Sequence, residues 1–60
     1  MKNNRKIEVG QVRENSDVDG EYYVILSAGD SKCLIRTLNS YYGVKTEWDT
    51  SDIINDIVVM

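Results

Sequence analysis

Short runs of β-branched and aromatic residues set the strongest limit on how this chain folds. Each run is shorter than an ordinary helix, and turn-forming residues such as A-G-D-S at 28–31 separate one run from the next. Turns at intervals of roughly 8 to 12 residues are typical of small β-sandwiches and barrels. The pattern therefore predicts an all-β fold, with strands at residues 7–12, 22–28, 32–38, 44–49 and 57–60.

The run V-K-T-E-W-D at 44–49 gives the clearest strand pattern. Val44, Thr46 and Trp48 alternate with Lys45, Glu47 and Asp49, and successive side chains of a strand point to opposite faces of its sheet. The alternation predicts a strand with one face towards the core and one charged face towards solvent.

One helical turn is predicted between the last two strands, in T-S-D-I-I at 50–54. Thr50 or Ser51 can cap its start, where Asp52 is electrostatically favourable. Because so few residues remain before the next strand, we expect a single 3₁₀ turn. In the first strand, Gly10 breaks the alternation, which favours a β-bulge or a sharp bend.

The size and composition exclude most kinds of catalytic site. Sixty residues form one domain, with little room for both a core and a catalytic cleft. The chain has no histidine, no phosphate-binding glycine motif and one cysteine, so we expect no enzyme activity and no cofactor. Cys33 lies in the apolar run K-C-L-I, which favours a buried thiol.

Charge and hydropathy bear on location and partners. The net charge is −3, which disfavours general nucleic-acid binding because phosphate contacts dominate that affinity. Residues 1–6 are predicted to be a flexible basic N-terminus before a single domain at 7–60. With no signal-peptide pattern and no long apolar stretch, we expect a soluble cytoplasmic protein that does not enter membranes.

The stretch N-S-D-V-D-G-E at 15–21 begins like a calcium-binding loop. Asn15, Asp17 and Asp19 match loop positions 1, 3 and 5, and Gly20 matches position 6. Position 12, which should be a bidentate glutamate, is Leu26. Asp and Gly side by side also suit a tight turn, so we interpret the stretch as an acidic turn and predict no metal site.

The order of these features resembles a known architecture. The chain reads V-G-Q-V-R-E-N, then E-Y-Y-V-I-L, a central R-T-L, and W-D before I-I-N-D. This order is similar to that of the small SH3-like barrel proteins encoded by bacteriophages and prophages. The resemblance implies an SH3-like small barrel of about five short strands, with one 3₁₀ turn before the last strand. It also implies an accessory protein that binds a host protein in the host cytoplasm and changes its activity.

The function predicted from the sequence is that of a non-catalytic protein-binding module. The acidic connection at residues 14–21 would steer the chain to a basic surface, and outward aromatic rings would anchor it. The predicted contact residues are Glu14, Asp17, Asp19, Glu21, Tyr22, Tyr41, Tyr42 and Trp48.

Two alternatives remain open at this stage. The chain could bind single-stranded nucleic acid through Arg13, Arg36, Lys45 and Tyr23, because aromatic rings stack on bases beside basic grooves. It could also be a structural subunit that self-associates through its apolar C-terminal edge strand. The sequence leaves open whether the chain is a monomer or a homodimer.

Overall fold

The computed structural model describes residues 6–38 and 43–59. The elements follow the order β1 (Val12–Glu14), β2 (Tyr22–Ala28), β3 (Lys32–Thr37), β4 (Lys45–Asp49), α1 (Thr50–Ile53) and β5 (Ile57–Val58). The helix found in these ranges is far too short to span a membrane. The predicted basic N-terminus lies almost wholly outside the described residues.

All five strands belong to one antiparallel sheet with the order β4-β3-β2-β1-β5. The all-β prediction is confirmed, as is the order of strands with a helical turn before the last one. Within the described ranges the outermost strands, β4 and β5, do not pair with each other. Closure of the sheet into an SH3-like barrel therefore stays a prediction.

The first strand begins later than predicted. β1 starts at Val12 rather than at Ile7, because Gly10 turns the chain with a φ of 94°. The Gly10 amide donates to the Ile25 carbonyl, and the Ile25 amide donates to the Gln11 carbonyl, each over 2.9 Å. Two residues thus face one on the neighbouring strand, which is the predicted β-bulge with a left-handed glycine.

The helical turn is α-helical, so the 3₁₀ prediction is wrong for Thr50–Ile53. The Ile54 amide donates to the Thr50 carbonyl, four residues back, over 3.0 Å. The backbone hydrogen bonds that follow it span three residues, as in a 3₁₀ turn. The predicted side-chain cap is also wrong. Asp49 is the N-cap and makes no capping hydrogen bond, since its carboxylate binds Lys32 at 3.0 Å.

The core lies on one face of the sheet, under α1. Strand alternation explains its composition: β2 buries Tyr23 and Ile25, and β3 buries Cys33 and Ile35, each pair two positions apart. Cys33 is buried as predicted, with its Sγ 3.4 Å from the Thr50 hydroxyl. Val44 is an exception to the predicted pattern, because 51% of it is exposed. The buried apolar residues are Tyr23, Ile25, Cys33, Ile35, Ile53 and Val58.

Candidate functional site

The acidic connection between β1 and β2 is a compact turn. The Asn15 side-chain oxygen accepts the Asp17 amide at 2.9 Å, and the Glu14 carboxylate accepts the Gly20 amide at 3.1 Å. Gly20 adopts a φ of 82°, the left-handed geometry that glycine provides most easily. These contacts confirm the turn predicted from the residue types, because two of the side-chain oxygens hold the loop's own backbone.

A buried carboxylate fastens this turn to the rest of the fold. Asp56 follows α1 and is 5% exposed. Its Oδ1 accepts the Ser16 amide at 2.9 Å, and its Oδ2 accepts the Tyr23 hydroxyl. One side chain therefore joins the start of the acidic connection, the start of β2 and the segment after the helix.

Arg13, together with Asp56 and Tyr23, forms a buried polar group. It is fully buried, and its Nη1 donates to the carbonyl oxygens of Ile53 and Asp56 at 3.1 and 3.0 Å. Its Nε and Nη2 donate to the Gln11 side-chain oxygen at 3.1 and 3.0 Å. The guanidinium thus binds the C-terminal end of α1, where the Ile53 carbonyl also accepts the Asp56 amide at 2.9 Å.

The surroundings of Tyr23 strongly favour its neutral form. Burial removes the phenol from water, and the hydrogen bond to the Asp56 carboxylate holds its proton, so both raise the pKa of Tyr23. The charge of Asp56 acts in the same direction, while Arg13 partly opposes it. At neutral pH the phenol is therefore a fixed hydrogen-bond donor.

Above this buried group lies an open cleft with a volume of about 360 Å³. Its walls come from the acidic connection, the end of β4 and the helical segment. No lysine or arginine among residues 6–38 and 43–59 lines it, and the carboxylates of Asp17 and Asp52 are the exposed charges of this described lining. The lining residues are Asn15, Ser16, Asp17, Trp48, Asp52, Asn55 and Asp56.

Trp48 gives the cleft its aromatic wall. It is half-buried near the end of β4, and its ring meets Tyr23 edge to face, with centroids 4.9 Å apart and an interplanar angle of 68°. Edge-to-face pairs of this kind stabilise both rings. The same Tyr23 side chain therefore positions Trp48 with its ring and Asp56 with its hydroxyl.

The structure separates the contact residues predicted from the sequence. Asp17 and Trp48 meet at the cleft. Asp19 is exposed in the same connection, and Glu21 is half-buried where it ends. Tyr22 and Glu14 lie opposite each other in β2 and β1, on the sheet face away from the core. Tyr41 and Tyr42 lie outside the described residues.

The nucleic-acid alternative loses two of its four residues. Arg13 is 0% exposed and Tyr23 is 1% exposed, so their prediction as contact residues is wrong. Both are inner residues of their strands, and both are held by Asp56. Arg36 and Lys45 are exposed and directly opposite each other in β3 and β4.

Sequence reasoning missed Asp52, Asn55 and the role of Asp56. Asp56 looked like one more exposed acid, since nothing in I-I-N-D signals burial. Arg13 could have signalled the site, because it occupies an inward position of β1 and a buried guanidinium needs buried acceptors. That signal depends on the register of β1, which the sequence alone did not fix.

The described ranges contain no group of three or more acidic or cysteine side chains placed to hold a metal ion. Comparison of the chain with protein-family models, with curated proteins and with solved structures gave no match. The function is therefore inferred from the geometry of the cleft.

Proposed function

We propose that this chain is a non-catalytic module that binds a protein partner at the cleft beside Trp48. The observation that supports this most is the meeting of Asp17, Asp52 and Trp48 around one open cleft. These residues come from three separate segments. Asp56 binds Ser16 and Tyr23, and the Tyr23 ring contacts Trp48, so the segments are held together.

The charge of the cleft indicates the kind of partner surface. Carboxylates at a rim attract a positively charged surface during encounter and repel negatively charged ones. A tryptophan supplies a large contact area and is favoured among residues that carry binding energy. We therefore expect the partner to present a basic segment, with an apolar portion that covers Trp48.

A charge-matched pair of variants tests this proposal. The cleft variant Asp17→Lys/Asp52→Lys reverses both exposed carboxylates. The control Glu8→Lys/Asp30→Lys makes the same change in net charge at exposed positions outside the cleft. Tagged wild type and both variants would be used to capture proteins from bacterial lysate after nuclease treatment, with quantification of what each recovers.

The expected result is a partner recovered in similar amount by wild type and control and lost from the cleft variant. Equal recovery by all three chains would contradict binding at the cleft. Losing the partner from both variants would mean that net charge, and not the cleft, determines binding.

Single-strand nucleic-acid binding is the weaker alternative. Arg36 and Lys45 form a small exposed basic pair, but acids outnumber bases in the chain, and Arg13 and Tyr23 are buried. Binding of this kind would weaken steeply as salt increases. Titration of a labelled oligonucleotide at low and moderate salt would distinguish it from protein binding.

The phage resemblance adds a proposal about the partner's origin. A phage-type accessory protein would bind a protein of its host and change that protein's activity. The acidic cleft fits such a role, because it can block or reshape a basic surface of another protein without catalysis. Capture from host lysate, followed by an activity assay of the recovered protein, would test it.

A further inference from the structure

β4 is an edge strand whose outer side has open peptide groups. The Thr37 amide donates to the Val44 carbonyl at 3.1 Å, and the Thr50 amide donates to the Ser31 carbonyl at 2.9 Å. Because hydrogen-bonding positions alternate along an antiparallel strand, the peptide groups of Lys45 and Glu47 face away from β3. None of the described residues pairs with those groups.

The residues of this edge complement a second copy of themselves. We propose that two copies associate through β4, in antiparallel pairing about a twofold axis at Thr46. Lys45 of one copy then lies opposite Glu47 of the other, and each such pair exchanges two backbone hydrogen bonds. Thr46 lies opposite Thr46, and Val44 lies opposite Trp48.

Each of these pairs is a favourable cross-strand pair. Opposite charges, two threonines, and an aromatic ring beside a β-branched residue all stabilise antiparallel strands. Val44 is 51% exposed and Trp48 is half-buried, so both have apolar surface to bury. Pairing also explains why Val44 is exposed in one copy although the alternation of its strand turns it towards the core face.

The charges near this edge favour the same arrangement. Lys45 lies directly opposite Arg36 in β3, so two positive side chains are neighbours on the outer face. Among the described residues neither Lys45 nor Glu47 forms an ion pair, whereas Asp49 already binds Lys32. Glu47 of a second copy would neutralise part of the Lys45–Arg36 repulsion.

Neighbouring registers are less favourable. An axis at Glu47 would place two Glu47 side chains opposite each other, and an axis at Trp48 would place Glu47 opposite Asp49. Like charges in directly opposed positions destabilise strand pairing. Thr46 is therefore the best centre for a symmetric contact, and a symmetric contact closes as a dimer.

Charge exchange between two variants tests the pairing. Lys45→Glu makes both charged positions of the edge acidic, and Glu47→Lys makes both basic. Sedimentation velocity and equilibrium would measure the mass of wild type, of each variant and of their equimolar mixture, from micromolar to millimolar concentration. Asp30→Lys is the control for a charge change away from β4, and circular dichroism would check that every variant folds.

Wild type and the Asp30→Lys control should approach the mass of a dimer at high concentration, because a five-residue edge contact is small and weak. Each β4 variant alone should dissociate at least tenfold more readily, and the mixture should recover the dimer. A wild type that stays monomeric throughout would overturn the proposal. So would association that neither variant weakens, or two variants that do not associate when mixed.

Discussion

Replacing Tyr23 with phenylalanine removes one hydroxyl from the group that holds the cleft together. The ring would keep its place in the core and its edge-to-face contact with Trp48. Only the hydrogen bond to the Asp56 carboxylate would be lost. Asp56 would retain the Ser16 amide as a donor, but its other oxygen would lose the tyrosine donor in a site that is 5% exposed.

The size of the effect follows from the burial and charge of the acceptor. Hydrogen bonds to charged groups contribute roughly 1.5 to 3 kcal/mol, and no cavity forms because the ring remains. We expect Tyr23→Phe to lower the free energy of unfolding by about 2 kcal/mol. A 60-residue domain has a total stability of roughly 3 to 9 kcal/mol, so the loss should be easy to measure. It corresponds to a fall in Tm of roughly 8 to 16 °C.

Urea unfolding followed by Trp48 fluorescence is the appropriate assay, since the chain has a single tryptophan. A loss below about 0.5 kcal/mol, the range of ordinary surface substitutions, would show that the Tyr23–Asp56 hydrogen bond does not stabilise the fold as proposed. The same conclusion would follow if Asp52→Asn, which removes an exposed carboxylate of the cleft, lowered the free energy of unfolding as much as Asp56→Asn.

A double-mutant cycle separates the hydrogen bond from other effects of each substitution. Tyr23→Phe and Asp56→Asn act on the two ends of one contact, so their effects should not add. We expect a coupling free energy of about 1 kcal/mol or more between them. Additive losses would mean that the two residues stabilise the fold independently.

The buried polar group and the turn at Gly20 can each be tested by a substitution or by pH. Arg13→Met should lower the free energy of unfolding by about 3 kcal/mol, more than Tyr23→Phe, because two carbonyls and Gln11 lose a buried charged donor. Equal urea midpoints for the two variants would contradict this. Because folding raises the pKa of Tyr23, its contribution to stability is complete below the unfolded pKa of about 10 and declines progressively as pH rises from there towards the raised folded pKa. Wild-type stability should therefore fall in alkali more steeply than that of Tyr23→Phe, and parallel pH profiles of the urea midpoint would contradict this. Gly20→Ala should lower the stability measured by thermal unfolding by roughly 1 to 2 kcal/mol. No neighbouring atom lies within 4 Å of the added carbon, so the cost comes only from the left-handed backbone, and an unchanged Tm would contradict this.

Local residue patterns were enough to predict most of the strands. β2 has the predicted bounds of 22–28, and β4 shows the predicted alternation of exposed and half-buried residues. Both patterns depend only on side chains within a few positions of each other. The left-handed glycine of the acidic turn was predictable for the same reason.

Features that depend on long-range contacts were not predictable in this way. Ser16 and Asp56 are 40 residues apart in sequence, yet their hydrogen bond fixes one wall of the cleft. The burial of Arg13 likewise depends on carbonyl groups at the far end of the chain, at Ile53 and Asp56. The sequence shows an arginine in a strand, and only the assembled sheet shows that solvent cannot reach it.

The buried group also explains how so small a chain can hold a defined cleft. A core built from a few isoleucines can specify that strands pack, but apolar packing alone tolerates shifts in loop position. Asp56 binds Ser16 and Tyr23 through different oxygens, and Arg13 fixes the backbone that carries Asp56. Loss of any one of these groups would leave a buried carboxylate or carbonyl with fewer partners, which weakens the cleft geometry and the folded state together. Binding at the cleft should therefore decline in step with the stability of Asp56 variants, whereas substitutions at Asp17 should change binding at constant stability.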